Sequence, residues 1–157
     1  KLTYEGDGPL PPGSLRLYRD GTYLREDYLD TLVPGEEIEL GFGIDQQIVV
    51  TWVDEGGKES ETGLVGRSTS IDENHLFTAL NRHGTPFTVE IVDRRPISQD
   101  DDIQVRVSPE ATPPDEEGFE DAPGVVLWRK ALQPDETLSV RNAFTIVYPT
   151  NKILLGR

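Results

Sequence analysis

TLSVRNAFTIVYP, Thr137–Pro149, decides how this chain folds. Leu138, Val140, Phe144, Ile146 and Tyr148 fall on every second position, the period of a pleated strand and not of a helix. One polar residue, Asn142, interrupts the apolar set. A strand with one apolar and one wet face belongs in an antiparallel sheet. The same alternation recurs in FTVEI (Phe87, Val89, Ile91), in IQVRV (Ile103, Val105, Val107) and in GEEIELGFGI (Ile38, Leu40, Phe42, Ile44). Twelve prolines and 15 glycines punctuate these runs, as in a sandwich or barrel. The prediction is an all-β chain, antiparallel and β-sandwich-like, in two packed or tandem modules joined by a long hairpin or linker.

The lead-in to this strand repeats an earlier phrase. LQPDETLSV (Leu132–Val140) echoes LVPGEEIEL (Leu32–Leu40), with Leu, Pro, Glu and the following apolar positions at one offset. Proline fixes φ, Gly35 or Asp135 completes a turn, and an alternating strand follows. Either two β modules share an edge turn, or ordinary turn grammar wrote it twice. On the modular reading, residues 1–53 form a first β module and 70–157 a second, Ig-like β-sandwich. Between them, 54–69 is a polar linker or the tip of a long hairpin running from Gln47 to Asn81. In LRLYRDGTYLRE, Asp20-Gly21 accepts the positive φ angles of a type I′ turn and predicts a tight hairpin. GVVLWRKAL predicts a buried strand with Trp128 in the core. SPEATPPDEEGFEDAP (Ser108–Pro123), with four prolines and six acids, predicts a mobile loop.

Fifteen Lys and Arg stand against 29 Asp and Glu, a formal net charge of −14. Nucleic acid recognition needs the opposite balance, and anionic membrane surfaces are disfavoured for the same reason. Apolar runs such as Ile48–Val50 are too short to span a bilayer, so no direct membrane insertion is expected. The chain has no Cys, which excludes disulfides, thiolate metal sites and Cys nucleophiles. It has no Met either, so Lys1 is expected to be the processed start of a longer protein.

Asp100, Asp101 and Asp102, with Ser98 and Asp93, form the sharpest polar cluster. Hard cations want several oxygen ligands, which makes these aspartates candidates for Ca²⁺. Neighbouring aspartates on a strand point to opposite faces, however, and the spacing is not that of an EF-hand. The competing reading is a turn in which Asp caps backbone N–H groups and Arg94 or Arg95 balances the charge. His75 and His83 are the two histidines, and no nucleophile elbow accompanies them. Gly41–Gly43 and Thr62–Gly66 lack the helix that a phosphate-cradling loop needs and predict bulges or close backbone crossings. Trp52 and the tyrosines Tyr18, Tyr23 and Tyr28 could stack on sugar rings, although packing is the commoner use of such residues. The acids at Asp115–Asp121 could dock a basic partner. Paired carboxylates for glycoside hydrolysis are uninformative among 29 acids. No catalytic constellation and no cofactor are predicted.

The chain resembles the C-terminal domain of the mucoidy inhibitor A-like bacterial proteins, a domain of unknown function (number 4139). The resemblance rests on YRDG (Tyr18–Gly21), LVPGEEIELGFGID (Leu32–Asp45), TGLVGR (Thr62–Arg67), VEIVDRRPISQDDDIQV (Val89–Val105), Trp128 ahead of LQPDE, and Tyr148-Pro149. It implies a link to exopolysaccharide output and a setting in the cell envelope or periplasm, with an N-terminal β region and a coiled coil preceding the domain, and no established reaction. The expectation is a non-catalytic interaction or structural domain of a larger bacterial protein, with an unidentified protein or polysaccharide partner. The alternative is a carbohydrate-binding module, Ca²⁺-dependent through Asp100–Asp102.

Overall fold

The computed structural model describes residues 1–19, 21–57, 59–62 and 67–152. Twelve strands carry the fold: β1 (Leu2–Thr3), β2 (Gly13–Arg19), β3 (Thr22–Leu29), β4 (Glu37–Ile38), β5 (Ile48–Asp54), β6 (Glu59–Thr62), β7 (Ser68–Asn81), β8 (Phe87–Arg94), β9 (Gln104–Val107), β10 (Glu116–Glu117), β11 (Val125–Leu132) and β12 (Thr137–Pro149). The one helical element among the described residues is a 3₁₀ turn, Phe119–Asp121. Every strand pairing among the described residues is antiparallel.

The chain divides into two compact units, Lys1–Gln46 and Gln47–Arg157. The boundary therefore precedes β5 and does not follow it: residues 48–53, assigned above to the first module, are a strand of the second unit, paired with β7 from Ile48↔Asn81 to Asp54↔His75. The segment 54–69 does not link the units either. β6 continues along the same edge of β7, from Glu59↔Ile71 to Thr62↔Ser68, so the segment belongs to the long hairpin that was the other expectation, with Arg82 N–H donating to Gln47 O (2.7 Å) at its base. The arm is interrupted at Gly56-Gly57, where Gly56 takes φ +78° and a Cβ on Gly57 would collide with Asp72 O. Only glycine fits this break.

The first unit is built on the β2–β3 hairpin and the short β1–β4 pair, with Leu17 and Leu32 buried. Arg19↔Thr22 closes the hairpin over the Asp-Gly pair; Gly21 has φ +78°, and Asp20 lies outside the described residues. The alternation in GEEIELGFGI does not yield a long strand. Pairing stops at Ile38, Gly43 takes φ +84°, and Ile44 is 93 % exposed. Two glycines in five residues weaken strand propagation, and here the loop prevails.

The second unit is a two-sheet sandwich. One sheet runs β5-β7-β12-β9, with β6 also on β7; the other runs β10-β11-β8. The long β12 pairs with β7 along its whole length, Thr137↔Leu80 to Pro149↔Ser68. Ala79 and Val140 of the first sheet pack on Val89, Ile91, Val126, Trp128 and Leu132 of the second. Leu138 and Val140, even positions of β12, face this core, as the alternation predicts. Burying an aliphatic side chain as fully as Leu132 or Val140 is stabilises by about 1.5–3 kcal/mol.

The acidic segment 108–123 is tied down and is not a free loop. Thr112 N–H donates to Arg141 O (2.8 Å), Arg141 N–H to Thr112 Oγ1 (3.0 Å), and Trp128 Nε1–H to Thr112 O (3.1 Å). Asp115 Oδ2 accepts Arg129 N–H (2.6 Å), and Glu116 and Glu117 form β10 against β11. Composition predicts mobility here because the segment buries little apolar surface; main-chain pairing to the sandwich supplies the missing stabilisation.

Candidate functional site

Asn142, the residue that breaks the apolar set of β12, is fully buried between the sheets. Its Nδ2–H donates to Asp93 Oδ2 (2.8 Å), and its Oδ1 accepts Arg95 Nε–H (2.7 Å). On the far side of Asp93, His75 Nδ1 stands 3.5 Å from Asp93 Oδ2, while His75 Nε2 stands 4.0 Å from Glu73 Oε2. The imidazole is ringed edge-on by Trp52 (5.8 Å), Phe77 (6.4 Å) and Phe144 (6.3 Å). A polar layer thus crosses the sandwich from His75 through Asp93 and Asn142 to Arg95. It ties β8 and the residue after it to β7 and β12, and each buried member depends on the next for a partner.

Arg95 ends this layer beneath a cleft. The side chain is more than nine-tenths buried, and its Nη1 makes a long contact of 3.4 Å to Glu117 Oε1, whose own side chain is 71 % exposed. Its Nη2 is buried without an acceptor among the described residues. A buried guanidinium N–H without an acceptor costs free energy, so this atom marks a place where an oxygen is wanted. The cleft encloses about 600 Å³ on the flank where the edge strands β9 and β10 leave the sandwich open, and Arg95, Ile97, Val105, Arg106, Val107 and Glu117 are among its lining. Val107 pairs with Phe144 and so shares its face of the sheet, yet is 53 % exposed. The walls are largely apolar and the floor is cationic.

A second, polar cleft of about 440 Å³ is lined by Glu55, Asp72, Glu73, Asn74, Glu110 and Thr145. Two of its acids, Glu55 and Asp72, are engaged. Arg141 Nη1 donates to Glu55 Oε2 and to Asn74 Oδ1, and Thr145 Oγ1–H donates to Asp72 Oδ1 (2.6 Å). The Arg141 hydrogen bond holds the Glu55 carboxyl below its ordinary range.

The aspartate turn is likewise occupied from within. Ser98 Oγ–H donates to Asp100 O (2.8 Å), Asp100 N–H to Ser98 Oγ (3.1 Å) and Asp102 N–H to Asp100 Oδ1 (3.0 Å), so the backbone is capped as an aspartate turn should be. The balancing cation is Lys152, whose Nζ reaches Asp100 Oδ2 at 2.5 Å and Asp102 Oδ2 at 3.0 Å. Sequence offered Arg94 or Arg95 for this role; Arg95 is committed to Asn142 instead. Lys152 lowers the Asp100 carboxyl below its usual range, helped by the Asp102 N–H, and is itself pushed up by both aspartates. Asp101 is exposed beside them. Among the described residues, no group of three or more His, Asp or Glu is placed to hold a metal ion.

The remaining candidates are scattered. His83 stacks on Phe87 (5.0 Å, 12°) and its N–H donates to Asn81 Oδ1 (2.9 Å). Trp128 is core, whereas Trp52 is 58 % exposed on β5. Tyr18, Tyr23 and Tyr28 are exposed in the first unit, with Tyr18 edge-on to Tyr23 at 5.6 Å. Of the Thr62–Gly66 stretch, 63–66 lie outside the described residues. Sequence reasoning weighed Arg95 only as a counter-charge and did not single out Glu117; the polar Asn142 inside an apolar alternation was the signal that leads to both.

These features define an all-β sandwich domain with a cross-sheet polar layer and an arginine-floored cleft between two sheet edges. Residues 2–150 match the family described as Domain of unknown function (DUF4139), and the chain belongs to that family. No curated protein and no solved structure matches it.

Proposed function

We propose that this is a non-catalytic interaction domain that binds an extended peptide strand in the cleft between β9 and β10. The observation that carries this reading is the combination of a β9 edge with no strand partner among the described residues and a half-exposed apolar wall, Val107 and Ile97, over a buried cation. An edge strand offers main-chain donors and acceptors for affinity, and the pockets beside it select alternate side chains. The test is selection of binding heptapeptides from a random library. Strand-forming peptides should be enriched and should lose binding to Val107→Asp, which puts a charge in the cleft at a half-exposed position and whose folding is checked by circular dichroism. No enrichment, or binding indifferent to Val107→Asp, overturns the proposal. The resemblance to mucoidy inhibitor A-like proteins supports a setting in a larger, envelope-associated bacterial protein.

A second reading rests on the exposed Tyr18–Tyr23 pair, which offers aromatic faces to a polysaccharide. Binding of bacterial polysaccharide that disappears in Tyr18→Ala/Tyr23→Ala supports it, and no binding by the native chain removes it. The same titration with and without Ca²⁺ decides whether Asp100 and Asp102 take part.

A further inference from the structure

We infer that Arg95 is a carboxylate-binding site for the docked peptide and that Glu117 is its resident competitor. The inference rests on the peptide-binding reading above and names the chemical group that the cleft selects. Three observations carry it. Arg95 is held rigidly, because its Nε–H is spent on the buried Asn142 Oδ1 at 2.7 Å and the Asn142 amide is itself fixed by Asp93. That leaves the Nη1–Nη2 end of the fork, which takes both oxygens of one carboxylate once the exposed Glu117 side chain moves aside and uncovers the buried Nη2. At this end Nη2 is buried with no acceptor among the described residues, and Nη1 has only the exposed Glu117 at 3.4 Å. A resident carboxylate at that distance satisfies the fork poorly and can swing into solvent.

Charge complementarity points the same way. The chain carries −14 overall, yet a cation, Arg95, is buried beneath this cleft, and the one carboxylate in the cleft lining is that of the exposed Glu117. A local cationic site on an acidic protein draws an acidic group to this spot and repels it elsewhere. Val105, Val107 and Ile97 flank the site, so the preferred peptide places a carboxylate between apolar side chains on one face of a strand.

The experiment uses the full chain and two blocked peptides, acetyl-Lys-Val-Thr-Glu-Thr-Val-Lys-amide and the same sequence with Gln for Glu. Dissociation constants come from calorimetry, and NMR follows the Arg95 Nε–H signal. The Glu peptide should bind about tenfold more tightly than the Gln peptide, the effect of one charge-assisted contact, and should shift the Arg95 signal. Glu117→Gln, which removes the competitor from an exposed position without disturbing Asn142, should widen that preference. Equal affinities for the two peptides overturn the carboxylate inference and leave peptide docking standing. Absence of binding by either peptide, to the native chain and to Glu117→Gln alike, overturns both.

Discussion

Asp135 and Gly35 occupy the same place in two copies of one turn. In each, proline precedes a residue of positive φ, +61° at Asp135 and +87° at Gly35, and the next residue is a glutamate. Each glutamate N–H donates back to the carbonyl three residues earlier at 3.0 Å, Glu36 to Val33 and Glu136 to Gln133. Its carboxylate then accepts the N–H of that same residue, at 3.0 Å in the first turn and 2.9 Å in the other. The echoed phrases are thus a turn with a reciprocal glutamate cap, set between a buried leucine and a strand. Left-handed backbone tolerates Asp and Gly but not a β-branched side chain. Asp135→Val is expected to destabilise by about 1–3 kcal/mol and Asp135→Gly to change stability little, as read by urea denaturation. Asn142 belongs to the same scale. Asn142→Leu keeps the volume and the apolar alternation but strips Arg95 and Asp93 of their shared partner. Leaving the buried Arg95 without this acceptor should cost about 1–3 kcal/mol, measured by the same method.

At the scale of elements, the acidic segment 108–123 and the strand expected at 35–44 depart from their sequence patterns in opposite directions. The acidic segment has the composition of a free loop and is pinned; residues 35–44 have the alternation of a strand and mostly do not form one. Alternation specifies which face a residue would present, but a strand persists only where a partner edge is available. β4 finds β1 for two residues and no further partner among the described residues, whereas β10 is completed by β11. Amide hydrogen exchange separates the two cases. Thr112, Asp115 and Gly118, whose N–H groups donate to Arg141 O, Leu127 O and Val125 O, should exchange slowly, and Phe42 and Ile44 rapidly. Fast exchange across 112–118 would restore the mobile-loop expectation.

For the whole molecule, the excess of 14 negative charges sets the response to acid. Glu55, Asp100 and Glu136 are each held below their ordinary range, chiefly by hydrogen bonds from Arg141, Lys152 and Lys130. The unfolded chain takes up protons at these groups before the folded chain does. Their contribution is therefore present above the ordinary carboxylate range, near pH 4, and is lost as pH falls through the lowered folded values. The Glu55→Gln/Asp100→Asn/Glu136→Gln variant should start with a lower Tm at about pH 6–7 and lose less of it on acidification to about pH 2.5. Parallel Tm profiles for variant and native chain would remove these pairs from the account. Each pair is partly exposed, so added salt should weaken the difference.

The all-β class, the antiparallel strands and their core faces, the burial of Trp128, the Asp-Gly hairpin and the twin proline turns are legible in the order of residues alone. These depend on local backbone preference and on period-two alternation, which a chain carries in its own order of residues. Tertiary structure alone decided that Ile48–Asp54 joins the second unit, that the acidic segment is pinned, that Lys152 and not Arg94 or Arg95 balances the aspartate turn, and that Arg95 meets Asn142 and Glu117 beneath a cleft. Those outcomes depend on which strand edges meet and which charges approach across 22 to 52 positions of chain, as in Arg95–Glu117 and Asp100–Lys152, and no local pattern encodes a distance through space.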